Sequence, residues 1–218
     1  MKIGIIIAME KEMRKYHELY KLELVNSKFN IYKFNYDDKE LFLVKCGVGK
    51  VNSSLITQYL IDTYQVDLII NSGCAGSLTD KVKVMDTIIV DAVTYHDFSP
   101  IEIMEKYIPE NGKIKVNSLI IESAQVIANK SKLSYHIGGI ASGDSFITDS
   151  KMRDDIFKRT NCLAVDMESM SIAQVSKLNN VAFLIVRTIS DFADGNEEQE
   201  EKASNISAQF VIDFIKNL

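Results

Sequence analysis

Length, composition and charge narrow the classes to which this chain can belong. Its 218 residues, 46% of them hydrophobic and 25% charged, are typical of one globular domain of the α/β kind. The net charge of −5 and the scattered lysines and arginines argue against a nucleic-acid partner. The longest apolar runs, such as residues 3–9, fall well short of the roughly 20 residues needed to cross a membrane.

Hydrophobic patterning predicts alternating strands and helices along the chain. The predicted strands cover residues 3–7, 29–36, 41–46, 67–71, 87–94, 137–141, 163–165 and 183–190. The predicted helices cover residues 9–20, 51–64, 116–130 and 168–178, with another in the amphipathic tail that starts at residue 197. Residues 98–115 contain both prolines and Gly112, and they are predicted to form a long loop.

The N-terminal run and the cysteines predict a cytoplasmic protein. Residues 3–9 lead into charged residues without a small-residue cleavage site, which favours a first strand over a signal peptide. Cys46, Cys74 and Cys162 are isolated in or beside apolar runs, a pattern that indicates neither a disulfide framework nor a zinc site. We therefore expect no metal and no membrane association.

Two acids stand at strand ends in the last third of the chain. Glu168 follows the predicted strand 163–165 and opens a helix, and Asp191 ends the predicted strand 183–190. We expect the two strands to be adjacent and parallel, which would bring both acids to one edge of the sheet. Open α/β sheets bind ligands at that edge, and carboxylates there can hold hydroxyls or transfer protons, so the pattern predicts an enzyme site.

Several of the candidate residues also have a purely structural interpretation. Acids in the first turn of a helix, such as Glu12, are favoured by the helix dipole alone. The small-residue turn 72–76 could be a tight turn and nothing more. Met167 and Phe146 are residue types that usually pack in a core. Asp191 follows Arg187 by four residues and could form a structural ion pair with it.

The order of these segments resembles a known family. The matching blocks are 9–12 (MEKE), 47–50 (GVGK), 71–76 (NSGCAG), 95–97 (YHD), 142–147 (SGDSFI), 165–168 (VDME) and 187–191 (RTISD). In this order they resemble the 5′-methylthioadenosine/S-adenosylhomocysteine nucleosidases of the nucleoside phosphorylase superfamily, over nearly the whole chain. The resemblance implies a single-domain, three-layer α/β/α fold with a central mixed twisted sheet, spanning residues 1–218.

The resemblance also implies a cofactor-free hydrolysis of the N-glycosidic bond of an adenine nucleoside. Glu12 would be the base that activates water. Asp191 would carry a proton and donate it to N7 of adenine. Glu168 would accept hydrogen bonds from the 2′- and 3′-hydroxyls of the ribose. The candidate substrates are 5′-methylthioadenosine, S-adenosylhomocysteine and 5′-deoxyadenosine.

Further residues take binding roles by the same resemblance. Phe146 would stack on adenine, the backbone of Ile147 would read its Watson–Crick edge, and Met167 would pack on the ribose. The remaining predicted binding residues are Met9 and Val48 on the water side, Cys74, Ala75 and Gly76 beneath the ribose, Ser190 beside Asp191, and Arg187, expected beside Glu168 or the backbone. Cys74 and Asp166 depart from the residues usual in the family. The loop 98–112 also matches poorly, and in the family this region helps to build the 5′ pocket.

Several alternatives remain within and beyond this superfamily. Residues 70–72 carry no cation and the turn at Gly47 offers only Lys50, so a phosphate site is not expected and water is favoured as the nucleophile. A purine nucleoside phosphorylase, a futalosine-type hydrolase and a catalytically inactive nucleoside-binding module are the alternatives. We also expect a homodimer, because the apolar helix 51–60 and the loop at Phe98 need a cover.

Overall fold

Strands and helices alternate along the computed structural model, which describes residues 1–194 and 199–218. The strands are β1 (Lys2–Ile7), β2 (Glu23–Asn26), β3 (Ile31–Tyr36), β4 (Lys39–Lys45), β5 (Leu68–Ser77), β6 (Thr87–Tyr95), β7 (Lys113–Lys115), β8 (Tyr135–Ser142), β9 (Ala164–Asp166) and β10 (Ala182–Asp191). The helices are α1 (Glu10–Leu19), α2 (Lys50–Tyr64), α3 (Ile101–Tyr107), α4 (Ser118–Lys130), α5 (Ser150–Thr160), α6 (Ser169–Leu178) and α7 (Glu200–Lys216).

The strands form one mixed sheet in the order β10-β6-β8-β9-β5-β1-β4-β3-β2, with β7 paired to β6. Strand β5 also pairs with β10, so five of the strands close into a ring. Strand β1 is parallel to both β4 and β5, and β5 is parallel to β10. The long connections between these parallel strands run through helices, as parallel pairing requires.

Helices cover both faces of the sheet, which confirms the predicted three-layer α/β/α fold. In β1, Ile3, Ile5 and Ile7 pack with α1, α4 and α7, whereas Ile6 packs with α2 and α6 on the opposite face. Side chains alternate across a strand, so both faces of β1 are buried, and this explains its unbroken apolar sequence. None of the helices in the described residues combines the length and the apolar content that a membrane span requires.

The predicted adjacency of the strands that carry Glu168 and Asp191 is wrong. Strand β5 separates β9 from β10, and β9 is antiparallel to β5. The two acids still meet, because Gly76 of β5 is in register with Asp191 on one side and with Val165 on the other. The hydrophobic pattern of the sequence does not predict the β5–β10 pairing that closes the ring.

The region predicted as a loop is also different. Residues 98–115 contain α3, a 3-10 turn (Pro109–Gly112) and β7, all too short to show a periodic pattern. The hydrophobic pattern does not predict α5, because Ile156 is the buried residue of this helix and one residue makes no repeating apolar stripe. The amphipathic tail forms α7 from Glu200, and the start predicted at residue 197 lies outside the described residues.

Candidate active site

All the residues predicted for the site line one cleft of about 660 Å³, open mouth included. It lies where β1, β5, β8, β9 and β10 end. Its lining contains Met9, Glu12, Val48, Cys74, Ala75, Gly76, Phe146, Ile147, Met167, Glu168, Arg187, Ser190 and Asp191. Ala8, Ser145, Val165, Asp166 and Glu200 also line it and were not predicted as binding residues. Of these, Ala8, Ser145 and Asp166 adjoin predicted residues, and Val165 lies two residues before Met167. Glu200 comes from the tail, where the sequence carries no site signal.

Glu12 is fixed at the start of α1 by backbone amides. Its Oε2 accepts from the N–H groups of Ala8 at 2.7 Å and Met9 at 2.9 Å, and its Oε1 accepts from Cys74 N–H at 3.2 Å. The side chain is 2% exposed. Glu12 therefore satisfies amides at the start of the helix, as the structural interpretation requires, and also lines the cleft.

Gly73 has to be a glycine because two site residues approach it closely. A Cβ at this position would lie 2.3 Å from Glu12 Oε1 and 2.3 Å from Arg187 Nη1, well inside van der Waals contact. The predicted small-residue turn 72–76 is therefore wrong, because these residues lie within β5. Gly73 in this strand makes room for a carboxylate and a guanidinium side by side.

Glu168 belongs to a buried charged network. Arg187 Nη2 lies 3.2 Å from Glu168 Oε2 and 2.6 Å from Asp166 Oδ2, and it donates to Asn71 Oδ1 at 2.9 Å. Gly49 N–H donates to Glu168 Oε1 at 2.9 Å. Burial raises the pKa of Glu168 to about 7, even though the neighbouring Arg187 opposes that rise. The carboxylate is therefore oriented by two donors.

Asp191 stands apart from this network. Its Oδ2 accepts from Ser190 Oγ at 2.6 Å and its Oδ1 from Ala193 N–H at 2.7 Å. Over the described residues, the ion pairs of Arg187 are with Asp166 and Glu168 rather than with Asp191. The structural ion pair considered for Asp191 and Arg187 is therefore wrong.

Phe146 is at the cleft and not in a core, since it is 54% exposed. The next residue, Ile147, is buried against Leu78 and Ala141 and anchors the segment.

Among the described residues, no group of three or more His, Cys, Asp or Glu side chains is arranged to hold a metal ion.

The fold and this cleft define a class of α/β proteins, and comparison with known proteins identifies it. A family model of the Phosphorylase superfamily matches residues 2–217. A 5′-methylthioadenosine/S-adenosylhomocysteine nucleosidase of Staphylococcus aureus (strain JH9) is 35% identical, over 99% of this chain and 100% of that protein. The chain therefore belongs to the phosphorylase superfamily and, within it, to the family of 5′-methylthioadenosine/S-adenosylhomocysteine nucleosidases.

Solved structures agree with this assignment. A mutant of the Helicobacter pylori nucleosidase with 5′-methylthioadenosine in its active site is similar at a TM-score of 0.93 and 29% identity, over 100% of this chain and 99% of that one. The futalosine hydrolase of Helicobacter pylori is similar at a TM-score of 0.92 and 28% identity, over 100% and 98% of the two chains.

Proposed function

We propose that this chain hydrolyses the N-glycosidic bond of 5′-methylthioadenosine and S-adenosylhomocysteine, with 5′-deoxyadenosine as a further substrate. The products are adenine and the 5-modified ribose. One observation carries the proposal: Glu12, Glu168 and Asp191, distant along the chain, line the same cleft as buried side chains. Buried carboxylates are costly unless they are paired or used, and the named activity of the curated relatives supports a use of this kind.

Glu12 and Asp191 are placed to act at opposite ends of a nucleoside. Glu12 Oε1 lies beside Gly73, and Asp191 Oδ1 lies 3.1 Å from where a Cβ on Gly76 would be. The three residue steps between these glycines span about 10 Å of extended strand. We assign Glu12 as the base that takes a proton from the attacking water. Asp191 donates a proton to N7 of adenine as the N-glycosidic bond breaks, which makes adenine a better leaving group, and the hydroxyl from water adds to the ribose carbon that adenine leaves.

In this scheme Glu168 binds the ribose. Arg187 and the Gly49 amide hold its carboxylate in place, and its remaining acceptor capacity is available to the 2′- and 3′-hydroxyls. Its negative charge also favours the positive charge that develops on the ribose as the bond breaks. Ser190 steadies the carboxyl of Asp191, and the half-exposed ring of Phe146 stacks on the purine.

The contacts around the cleft support water over phosphate as the nucleophile. Phosphate binds at free backbone amides and cations. The amides of Ala8, Met9 and Cys74 already donate to Glu12, and the first amides of α2 donate to Glu168 and Asp144. Lys50 is paired with Asp97 at 2.7 Å. Purine release should therefore proceed without phosphate, and strict phosphate dependence would contradict the proposal.

A futalosine-type hydrolase is the second candidate, because the Helicobacter pylori futalosine hydrolase shares the whole fold. The substrates of the two candidate enzymes differ in the nucleobase and in the 5′ substituent. The deciding experiment incubates the pure protein with 5′-methylthioadenosine, S-adenosylhomocysteine, 5′-deoxyadenosine and futalosine and measures the free base. Release of base from futalosine alone would replace the first proposal by the second.

We also propose a cytoplasmic homodimer. On α2, Val51 is 77% exposed and Leu55 is 51% exposed, and Ile101 of α3 is a further exposed apolar residue. Burial of such side chains by a second copy would be favourable. The three cysteines, all within the described residues, are free thiols, which suits a reducing compartment. Light scattering after gel filtration tests the dimer, and a stable active monomer would contradict it.

A further inference from the structure

The start of α2 holds two other parts of the cleft through consecutive backbone amides. Gly49 N–H donates to Glu168 Oε1 at 2.9 Å, and Lys50 N–H donates to Asp144 Oδ1 at 2.8 Å. The first amides of a helix have no partner within the helix, and the residue before the helix commonly satisfies the second or third of them with its own side chain. Here that residue is Gly49, which has no side chain, and the Asp144 carboxylate, from a distant part of the chain, accepts from the first helical amide, at Lys50.

Asp144 is held by its main chain as well as by its side chain. Its N–H donates to Asp97 Oδ2 at 2.8 Å, and the same oxygen accepts from Lys50 Nζ at 2.7 Å. Lys50 Nζ lies 3.6 Å from Asp144 Oδ2. A Cβ on Gly49 would lie 3.0 Å from Asp144 Oδ1, so glycine at that position allows this approach. The three charged residues therefore form a closed ring next to Ser145 and Phe146, which line the cleft.

Asp144 opens a short exposed arch that carries Phe146. Residues 144–146 are exposed, whereas Gly143 and Ile147 on either side are buried. Within residues 1–194 and 199–218, the hydrogen bonds of the three arch residues are the two at Asp144. The position of Phe146 over the cleft therefore depends on Asp144 and on the buried residues at both ends of the arch.

We propose that Asp144 is a positioning residue that seats Phe146 over the cleft by capping α2 from a distance. The consequence for catalysis rests on the proposed function, in which Phe146 stacks on the purine. Loss of the cap would loosen the arch and weaken binding of the purine equally in the ground and transition states. Such a change raises KM and leaves kcat nearly unaltered.

The arch can be observed without any substrate. The chain has no tryptophan, so Phe146→Trp makes a single fluorescent reporter on the arch. Because Phe146 is already 54% exposed, adding Asp144→Ala should raise the acrylamide quenching constant by up to about twofold, since loss of a cap shifts a local equilibrium by about tenfold. Adding Asp144→Asn should leave it nearly unchanged, because asparagine keeps the acceptor oxygen.

A matched control separates the cap from a general loss of surface charge. Glu40→Gln breaks the exposed Lys33–Glu40 pair, whose atoms are 2.6 Å apart, on the far strands of the sheet, and should leave quenching unchanged. Unchanged quenching in Asp144→Ala, or an equal rise in Asp144→Asn, would overturn the assignment. This result stands whatever the substrate is.

Kinetics on the chain with Phe146 intact test the link to binding. For 5′-methylthioadenosine, Asp144→Ala should raise KM about tenfold with kcat within about twofold of the unaltered chain, and Asp144→Asn should restore KM. A fall in kcat at unchanged KM would overturn the positioning role. Failure of the unaltered chain to release adenine would instead refute the proposed function, and the quenching result would still decide the role of Asp144.

Discussion

Arg187 and Glu168 form a buried ion pair at the edge of the cleft, with 3.2 Å between Nη2 and Oε2. Arg187 also lies 2.6 Å from Asp166, so one guanidinium serves two carboxylates. Burial disfavours each of these charges taken singly. The network is therefore stable only as a whole, and it holds Glu168 toward the cleft in one orientation.

Arg187→Met should destabilise the fold by about 3–5 kcal/mol, because it leaves two carboxylates buried without their cation. Urea unfolding measures the loss. Arg14→Met is the matched control, since Arg14 pairs with Glu201, both side chains are more than half exposed, and its loss should cost less than about 1 kcal/mol. A loss in Arg187→Met no larger than in the control would show that the network does not depend on the cation.

Glu12→Gln should lower kcat at least about a hundredfold, because the amide cannot take a proton from water. Binding of 5′-methylthioadenosine, measured by calorimetry, should persist, since the side chain keeps its size. Glu18→Gln changes an exposed glutamate of the same helix and should turn over normally. A near-normal rate in Glu12→Gln would remove Glu12 from the mechanism.

Asp191→Asn should lower adenine release by about a hundredfold to ten-thousandfold, because the purine then leaves without a proton. Nucleoside binding should again persist. The exposed Asp62→Asn, on the outer part of α2, is the control for a generic loss of charge. If the unaltered chain and Asp191→Asn both bind the nucleoside but release no adenine, the protein is an inactive nucleoside-binding module.

The sequence predicted the layers and the cleft residues better than the path of the sheet. Local patterns are enough to predict β1, because its isoleucines are buried on both faces. They are also enough to predict the strand ends, because these are rich in acids and small residues. The placement of β5 between β9 and β10 depends on long-range pairing that no local pattern encodes. Arg187 was expected beside Glu168 and lies there. The other donor to Glu168 could not be predicted from a local pattern, because Gly49 lies 119 residues away in the chain.

Glu168→Gln should weaken ribose recognition. The neutral amide loses charge-assisted bonds to the hydroxyls, so the preference for a nucleoside with a 2′-hydroxyl over its 2′-deoxy counterpart should fall about tenfold. The measurement compares kcat/KM for the two nucleosides in each protein. An unchanged preference would mean that the 2′-hydroxyl is recognised by a different residue.

Glu168 should also make the stability of the fold depend on pH. Burial raises its pKa to about 7 from an ordinary value of 4.5, so between these values the folded chain keeps a proton that the unfolded chain releases. Stability from this group is full below pH 4.5 and is lost as the pH rises through 7. The free energy of unfolding of the unaltered chain, relative to Glu168→Gln, should therefore be about 2–3 kcal/mol smaller at pH 8 than at pH 5. Urea unfolding at both pH values measures this difference, and a difference that stays constant or grows with pH would show that Arg187 keeps Glu168 ionised throughout.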